Sequence, residues 1–124
     1  MAKTILIVED EASLLTALGD SLKGQGFKVI ETKNGEEGLA KAFSSHPDLI
    51  LLDIIMPRMD GMTLLRKLRE DSWGKTALVI FLTNLSDMEK ISEALANKAT
   101  TYLIKSDWDM DEILEKIKTK INEK

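Results

Sequence analysis

The polar side chains best suited to chemistry fall where apolar runs of the chain stop. Glu9 and Asp10 follow Thr4–Val8, Asp53 follows Leu49–Leu52, Thr83 follows Leu78–Leu82, and Lys105 follows Thr101–Ile104. A short run apolar on both faces is the pattern of a strand buried in a parallel sheet, and the C-terminal ends of such strands share one edge. Convergence there sets three carboxylates side by side. Their repulsion is relieved by a hard divalent cation with oxygen ligands, and Mg²⁺, which tolerates a few carboxylates and keeps its waters, is the natural candidate. A hydroxyl and an ammonium facing that cation supply the donors and positive charge required by the equatorial oxygens of a transferred phosphoryl group. Asp53 is then a candidate carboxylate nucleophile, able to form an aspartyl-phosphate.

Elements at regular spacing must carry these residues. Leu14, Leu15, Leu18 and Leu22 recur at helical spacing and stop at Gly24 and Gly26. Phe27–Ile30 reads as a second strand. Asn34 is placed to cap a helix that turns Leu39 and Phe43 inward, with Glu36 and Glu37 in its electropositive first turn, and His46-Pro47 ends it. After Pro57 and Gly61, Leu64, Leu65 and Leu68 define a helix whose outer face carries Arg66, Lys67, Arg69 and Glu70. Ser86 is the expected cap of a fourth helix with Met88, Ile91 and Leu95 inward, and the last helix sets Met110, Ile113, Leu114, Ile117 and Ile121 on one side. Five strands alternating with five helices imply right-handed crossovers and a doubly wound parallel sheet covered on both faces, a three-layer αβα sandwich.

At 124 residues the chain is expected to be one domain, residues 1–124, and 44% hydrophobic content suffices for a packed core. There is no cysteine, so disulfides and thiolate metal sites are excluded. Apolar runs such as Leu78–Leu82 fall far short of the roughly 20 residues that span a bilayer, and no signal-peptide pattern opens the chain; a soluble cytoplasmic protein with no membrane partner is expected. A formal charge of −4 opposes direct binding to nucleic acid.

Glu9-Asp10, Asp53 followed by Met56-Pro57 and Asp60-Gly61, then Thr83, Tyr102 and Lys105 resemble, in order and spacing, the receiver domain of two-component response regulators. The likeness covers the whole chain and points to a stand-alone, chemotaxis-regulator-like receiver with no output domain visible in the sequence, with a piece of a longer regulator as the alternative. It implies a flavodoxin-like fold with strand order 2-1-3-4-5. It implies that Asp53 accepts a phosphoryl group from a histidine kinase, a histidine phosphotransfer protein or a small phosphodonor. Asp10 and Asp53 with the backbone carbonyl of Ile55 would bind Mg²⁺, for which Mn²⁺ substitutes, and Glu9 would support them from beside or through water. Thr83 would hydrogen-bond the phosphoryl group, Lys105 would pair with it, and Tyr102 would turn inward with Thr83. That movement would change the face of helix four, strand five and helix five for a downstream protein target; alternatively, the phosphoryl group would be relayed to a histidine of another protein. Such a switch is not an enzyme in the conventional sense, although it catalyses transfer to its own Asp53 and the slow hydrolysis that follows. Either a monomer or a phosphorylation-dependent dimer is compatible with it.

Several positions depart from the family pattern. Ser106 stands where a proline in a cis bond usually follows the lysine, so that bond is trans or strained. Asn84 is larger and more polar than the usual residue, and Lys98 replaces a glycine that commonly ends helix four, which leaves a left-handed cap to Asn97 or to none. Ile55 and Leu85, two places beyond Asp53 and Thr83, are apolar and are expected to position an attacking water poorly, which favours a long-lived phosphoryl group. His46, without a second histidine, and Trp73 read as structural; Trp108 reads as packing, with partner anchoring as the alternative. The last helix opens with Asp107, Asp109, Asp111 and Glu112 and closes with Lys116, Lys118, Lys120 and Lys124, the order a helix dipole favours. A small-molecule aspartyl-phosphate phosphatase would want a second acid at Ile55, and a flavin-binding module would want a phosphate loop where Glu9-Asp10-Glu11 stands.

Overall fold

The structure is a computed structural model and describes residues 2–122; Lys124 of the C-terminal lysine series lies outside the described residues. Strands β1 (Thr4–Val8), β2 (Lys28–Thr32), β3 (Leu49–Leu52), β4 (Val79–Thr83) and β5 (Thr101–Ile104) form one parallel sheet in the order β2-β1-β3-β4-β5. Helices α1 (Ala12–Gly24), α2 (Gly35–Ser45), α3 (Gly61–Arg69), α4 (Met88–Ala96) and α5 (Met110–Asn122) alternate with them.

The period of two along each strand sorts the core into two layers. Leu6, Val8, Ile50, Leu52, Val79 and Phe81 face α2 and α3, where they meet Ala42, Leu64, Leu65 and Leu68. Ile5, Ile7, Leu49, Leu51, Ile80 and Leu82 face α1 and α5, against Leu15, Leu18, Leu22, Ile113, Leu114, Ile117 and Ile121. β1 and β3 are the central strands and are buried almost throughout, so the residues that follow them emerge at the middle of the sheet's C-terminal edge.

Local chemistry places the helix starts. The Asn34 side chain accepts from the Glu37 N–H at 2.9 Å, as its type predicts, and Asp60 does the same for Thr63 at 2.8 Å. Asp109 and Glu112 exchange side-chain to backbone bonds, each 2.9 Å, to form a capping box at α5. At α4 the cap is Asp87, which accepts from Glu89 N–H at 2.8 Å, rather than Ser86. A charged carboxylate is the stronger acceptor for the helix's first N–H groups.

Other expectations need correction. β2 runs from Lys28 to Thr32 rather than Phe27–Ile30, because it pairs with all of β1 and the buried Thr32 hydroxyl donates to the Ile7 carbonyl at 2.9 Å. β4 likewise starts at Val79 and ends at Thr83, where Thr83 pairs with Ile104. Phe43 is 39% exposed: α2 lies close to the sheet through Gly38, where a Cβ would stand 2.7 Å from Val8, and through the buried Ala42, and these small residues take the inward contacts. α4 buries only Ala94 and leaves Met88 and Leu95 exposed. Polar contacts from α3 add to that small buried area: Arg66 pairs with Glu93, and Arg69 donates to the Asn97 and Lys98 carbonyls just past the helix. Arg69 is no solvated charge: its guanidinium donates to the carbonyls of Gly74, Ala77, Asn97 and Lys98. The left-handed cap after α4 falls on Lys98 itself, at φ 63°, and not on Asn97. His46 and Trp73 stack with ring centroids 4.3 Å apart, and Lys116 Nζ lies 5.1 Å from the Trp108 ring, so all three rings have packing partners.

Candidate functional site

Each strand-end residue arrives at the same edge. The backbone bonds Asp53 N–H to Val8 C=O and Glu9 N–H to Thr32 C=O, at 3.0 and 3.1 Å, carry the ladder one residue past the strands and fix both acidic positions. Glu9 and Asp53 are buried, whereas Asp10 is exposed. Carboxylate oxygens of Glu9, Asp10 and Asp53 all lie within 4.8 Å of one another.

Lys105 reaches into this cluster. Its Nζ stands 3.0 Å from Asp53 Oδ2, 3.0 Å from Glu9 Oε1 and 3.9 Å from Glu11 Oε1. The other Asp53 oxygen accepts from the Ile54 N–H at 2.7 Å, and the other Glu9 oxygen accepts from the Glu11 N–H at 3.0 Å. No cis peptide occurs among the described residues, so Lys105-Ser106 is trans, and the lysine still reaches Asp53 without the usual proline. Burial disfavours the ammonium, but its bonds to Glu9 and Asp53 outweigh that and hold Lys105 above the usual lysine range. Burial also pushes the Glu9 carboxyl up, and the Asp53 charge adds to it against the opposing pull of Glu11 N–H and Lys105.

Thr83 is buried beside this group, and its Oγ1 accepts from the Leu85 N–H at 3.3 Å. The Tyr102 hydroxyl donates to the Leu85 carbonyl, and its ring leans on Phe81 with centroids 5.7 Å apart. Leu85 therefore joins Thr83 to Tyr102 through its backbone. Side-chain type gives no signal for such a link. The Tyr102 phenol is raised by burial and by the charges of Asp53 and Asp87. The Ile55 side chain is 63% exposed.

The donor set fits Mg²⁺. An octahedral ion with oxygens at about 2.1 Å spans at most about 4.2 Å between opposite ligands, close to the spread of these carboxylates, and all the donors are hard oxygens. Their mutual repulsion, offset by one ammonium, leaves room for further positive charge.

The chain matches the family model described as the response regulator receiver domain over residues 5–118. It is 32% identical over 123 residues to the chemotaxis protein CheY of Bacillus subtilis, covering 98% of this chain and 100% of that one. It spans 29% to 47% of three longer curated regulators that it also matches. A CheY-like receiver from Methanospirillum hungatei superposes with a TM-score of 0.91 at 31% identity, covering 98% and 95% of the two chains. A second solved structure, a CheX-CheY-BeF3-Mg complex from Borrelia burgdorferi, gives 0.87 at 29% identity over 98% and 90%. The sheet order, the acidic edge and these matches agree, and the chain belongs to the response regulator receiver domain family.

Proposed function

We propose that the chain is a phosphorylation-activated switch in which Asp53 accepts a phosphoryl group from a histidine kinase, a histidine phosphotransfer protein or a small phosphodonor. The observation that carries this is the contact of Lys105 with Asp53 inside a cluster of three carboxylates. An Asp53 oxygen forms the new P–O bond as the bond between phosphorus and the donor's nitrogen or oxygen breaks. Lys105, already beside that carboxylate, follows the negative charge onto the phosphoryl oxygens. The Thr83 hydroxyl accepts from Leu85 and keeps its own proton to donate to the same group.

Asp10, Asp53 and the Ile55 carbonyl would hold Mg²⁺ or Mn²⁺, with Glu9 in support. Bound there, the ion supplies charge neutralisation at the transferring phosphoryl group. Asp53 and Glu9 orient toward that place through the Ile54 and Glu11 N–H groups. The relative solved with BeF3 and Mg supports this assignment by likeness.

State is read on α4, β5 and α5. Displacing Thr83 moves Leu85, and with it the Tyr102 hydroxyl, which sets the surface beside α4. Shifting such an equilibrium from 1:99 to 99:1 takes about 5.5 kcal/mol, within reach of a few charge-assisted bonds of about 1.5–3 kcal/mol each. The switch works in the cytoplasm, monomeric or dimerising on phosphorylation, and its receiver domain acts on a protein rather than directly on nucleic acid. Among the described residues no helix is long and apolar enough to cross a membrane.

Intact-mass measurement after acetyl phosphate, with and without Mg²⁺, tests the reading. The native chain should gain one phosphoryl group only with the metal, and Asp53→Asn should gain none. An unchanged native mass, under conditions that preserve a control acyl phosphate, overturns it.

A further inference from the structure

The loop that follows β3, residues 53–60, is held from two sides. On its own side Gly61 folds back, donating its N–H to Ile54 C=O at 2.8 Å, and a Cβ there would stand 2.1 Å from the Asp53 carbonyl oxygen. The second hold comes from a different element. A Cβ on Gly35, the first residue of α2, would stand 2.0 Å from the Met59 carbonyl oxygen and 2.7 Å from its carbon. Those are backbone atoms, so no side-chain rotation relieves the overlap.

Between the two holds the loop turns at Arg58 with φ 73°, and Met59 N–H donates to Pro57 C=O at 2.8 Å. A three-residue turn with positive φ at a non-glycine residue is sparsely populated and persists only where its surroundings over-determine it. α2 supplies that constraint. Its first turn is fixed by the Asn34 cap, its buried Gly35 abuts Met59, and Glu36 lies 3.6 Å from the Arg58 guanidinium. Gly35 offers no side-chain group to the acidic edge.

We infer that Gly35 is a positioning residue for the metal site. The absence of a side chain sets how closely the loop lies against α2, and so where Ile55 stands relative to Asp53. The inference rests on reading the edge as a Mg²⁺ site that includes the Ile55 carbonyl.

Calorimetric titration with MgCl₂ alone, without phosphodonor, tests it on the native chain, Gly35→Ala, and the control Gly24→Ala, where an added Cβ meets nothing within 4 Å. Gly35→Ala should stay folded by circular dichroism and lose about tenfold in Mg²⁺ affinity, the low end for groups that orient metal ligands. Gly24→Ala should bind as the native chain does. A backbone of merely structural importance would lower stability without moving the affinity of the folded fraction. Should Gly35→Ala fail to fold, Asn34→Ala loosens the same turn without adding an atom, and it should weaken Mg²⁺ binding in the same direction. Native-like affinity in folded Gly35→Ala, or in Asn34→Ala where that variant is needed, overturns the positioning role. A native chain that takes up no Mg²⁺ overturns the metal reading and the inference with it.

Discussion

The ammonium of Lys105 stands 3.0 Å from Oδ2 of Asp53 and lies the same distance from Oε1 of Glu9. The three side chains are only 14%, 8% and 3% exposed, so solvent screens these contacts weakly. Removing one partner of a buried pair leaves an uncompensated charge and costs about 3–5 kcal/mol. Burial and the Asp53 charge raise the Glu9 carboxyl, and loss of the ammonium that opposes them raises it further, so taking up a proton relieves part of that penalty. Lys105→Met should therefore destabilise the metal-free chain by about 3 kcal/mol, toward the low end of that range. Mg²⁺ should recover more stability in the variant than in the native chain, since the ion replaces the missing charge. Urea midpoints with and without Mg²⁺ check both; equal metal-free midpoints would rule the argument out.

Tyr102 gives a pH test because it is the only tyrosine in the chain. Burial first, then the charges of Asp53 and Asp87, hold its pKa above the ordinary 10.0. The folded state thus keeps a proton that the unfolded chain gives up. The stabilisation is fully present below the unfolded value of 10.0 and is lost as pH rises through the higher folded value. The phenolate absorbance should titrate above 10.0 in the native chain and return to that value in urea. Tyr102→Phe should cost about 1 kcal/mol by losing the bond to Leu85, and it should remove this part of the alkaline loss. A native phenol titrating at or below the unfolded value would contradict the burial that the structure shows.

The strands and their polar ends were readable because a fully buried strand allows few alternatives: Leu49–Leu52 must be apolar on both faces, and Asp53 then stands where the apolar demand ends. The candidate site followed from that, since Glu9 and Asp10 follow β1, Asp53 follows β3, Thr83 ends β4 and Lys105 follows β5, and parallel strands share an edge. Helix faces were harder. Phe43, Met88 and Leu95 have the right spacing to turn inward, yet small residues, Gly38 and Ala94, take those contacts because a close-packed helix excludes larger ones. Arg69 looked like one more charge on an outer face. Its four carbonyl acceptors are two in the loop just after α3, Gly74 and Ala77, and two just past α4, Asn97 and Lys98, 28 and 29 residues on; none of these is visible to periodicity. The Leu85 bridge is hidden for a related reason: a backbone link leaves no mark on side-chain type.

Lys98 carries a conformational cost with a clear remedy. It closes α4 in a Schellman motif, with Ala99 N–H bonded to Ala94 C=O and Lys98 N–H to Leu95 C=O, each at 2.9 Å. A left-handed residue with a Cβ costs about 1–2 kcal/mol, part of which glycine returns as unfolded-state entropy. Lys98→Gly should stabilise the fold by about 0.5–1 kcal/mol, because the Lys98 carbonyl that Arg69 grips is backbone and survives the change. Asn97→Gly is the contrast. Asn97 sits at φ −92°, so glycine there should bring no gain and should lose the side-chain bond to Glu93 C=O. Thermal unfolding of the two variants side by side checks the order.

Ile55 and Leu85 bear on how long the proposed phosphoryl group lasts. Hydrolysis needs a water held in line with the bond to Asp53, and a water is held by donors and acceptors. Ile55 exposes its side chain beyond Asp53 but offers only carbon, and the half-buried Leu85 does the same beyond Thr83 while its N–H is engaged by Thr83 Oγ1. An Ile55→Asn, Leu85→Glu double variant places an amide and a carboxylate at these positions and leaves the Leu85 backbone bonds in place. Its phosphoryl half-life should fall about tenfold, equivalent to about 1.4 kcal/mol off the hydrolysis barrier. The single Ile55→Asn change should give less, because one group orients a water less well than two. Loss of the phosphoryl mass with time, followed after the phosphodonor is removed, measures this directly. A half-life in the double variant equal to the native one would mean that water is positioned by groups other than these side chains, and the slow-hydrolysis argument would fail.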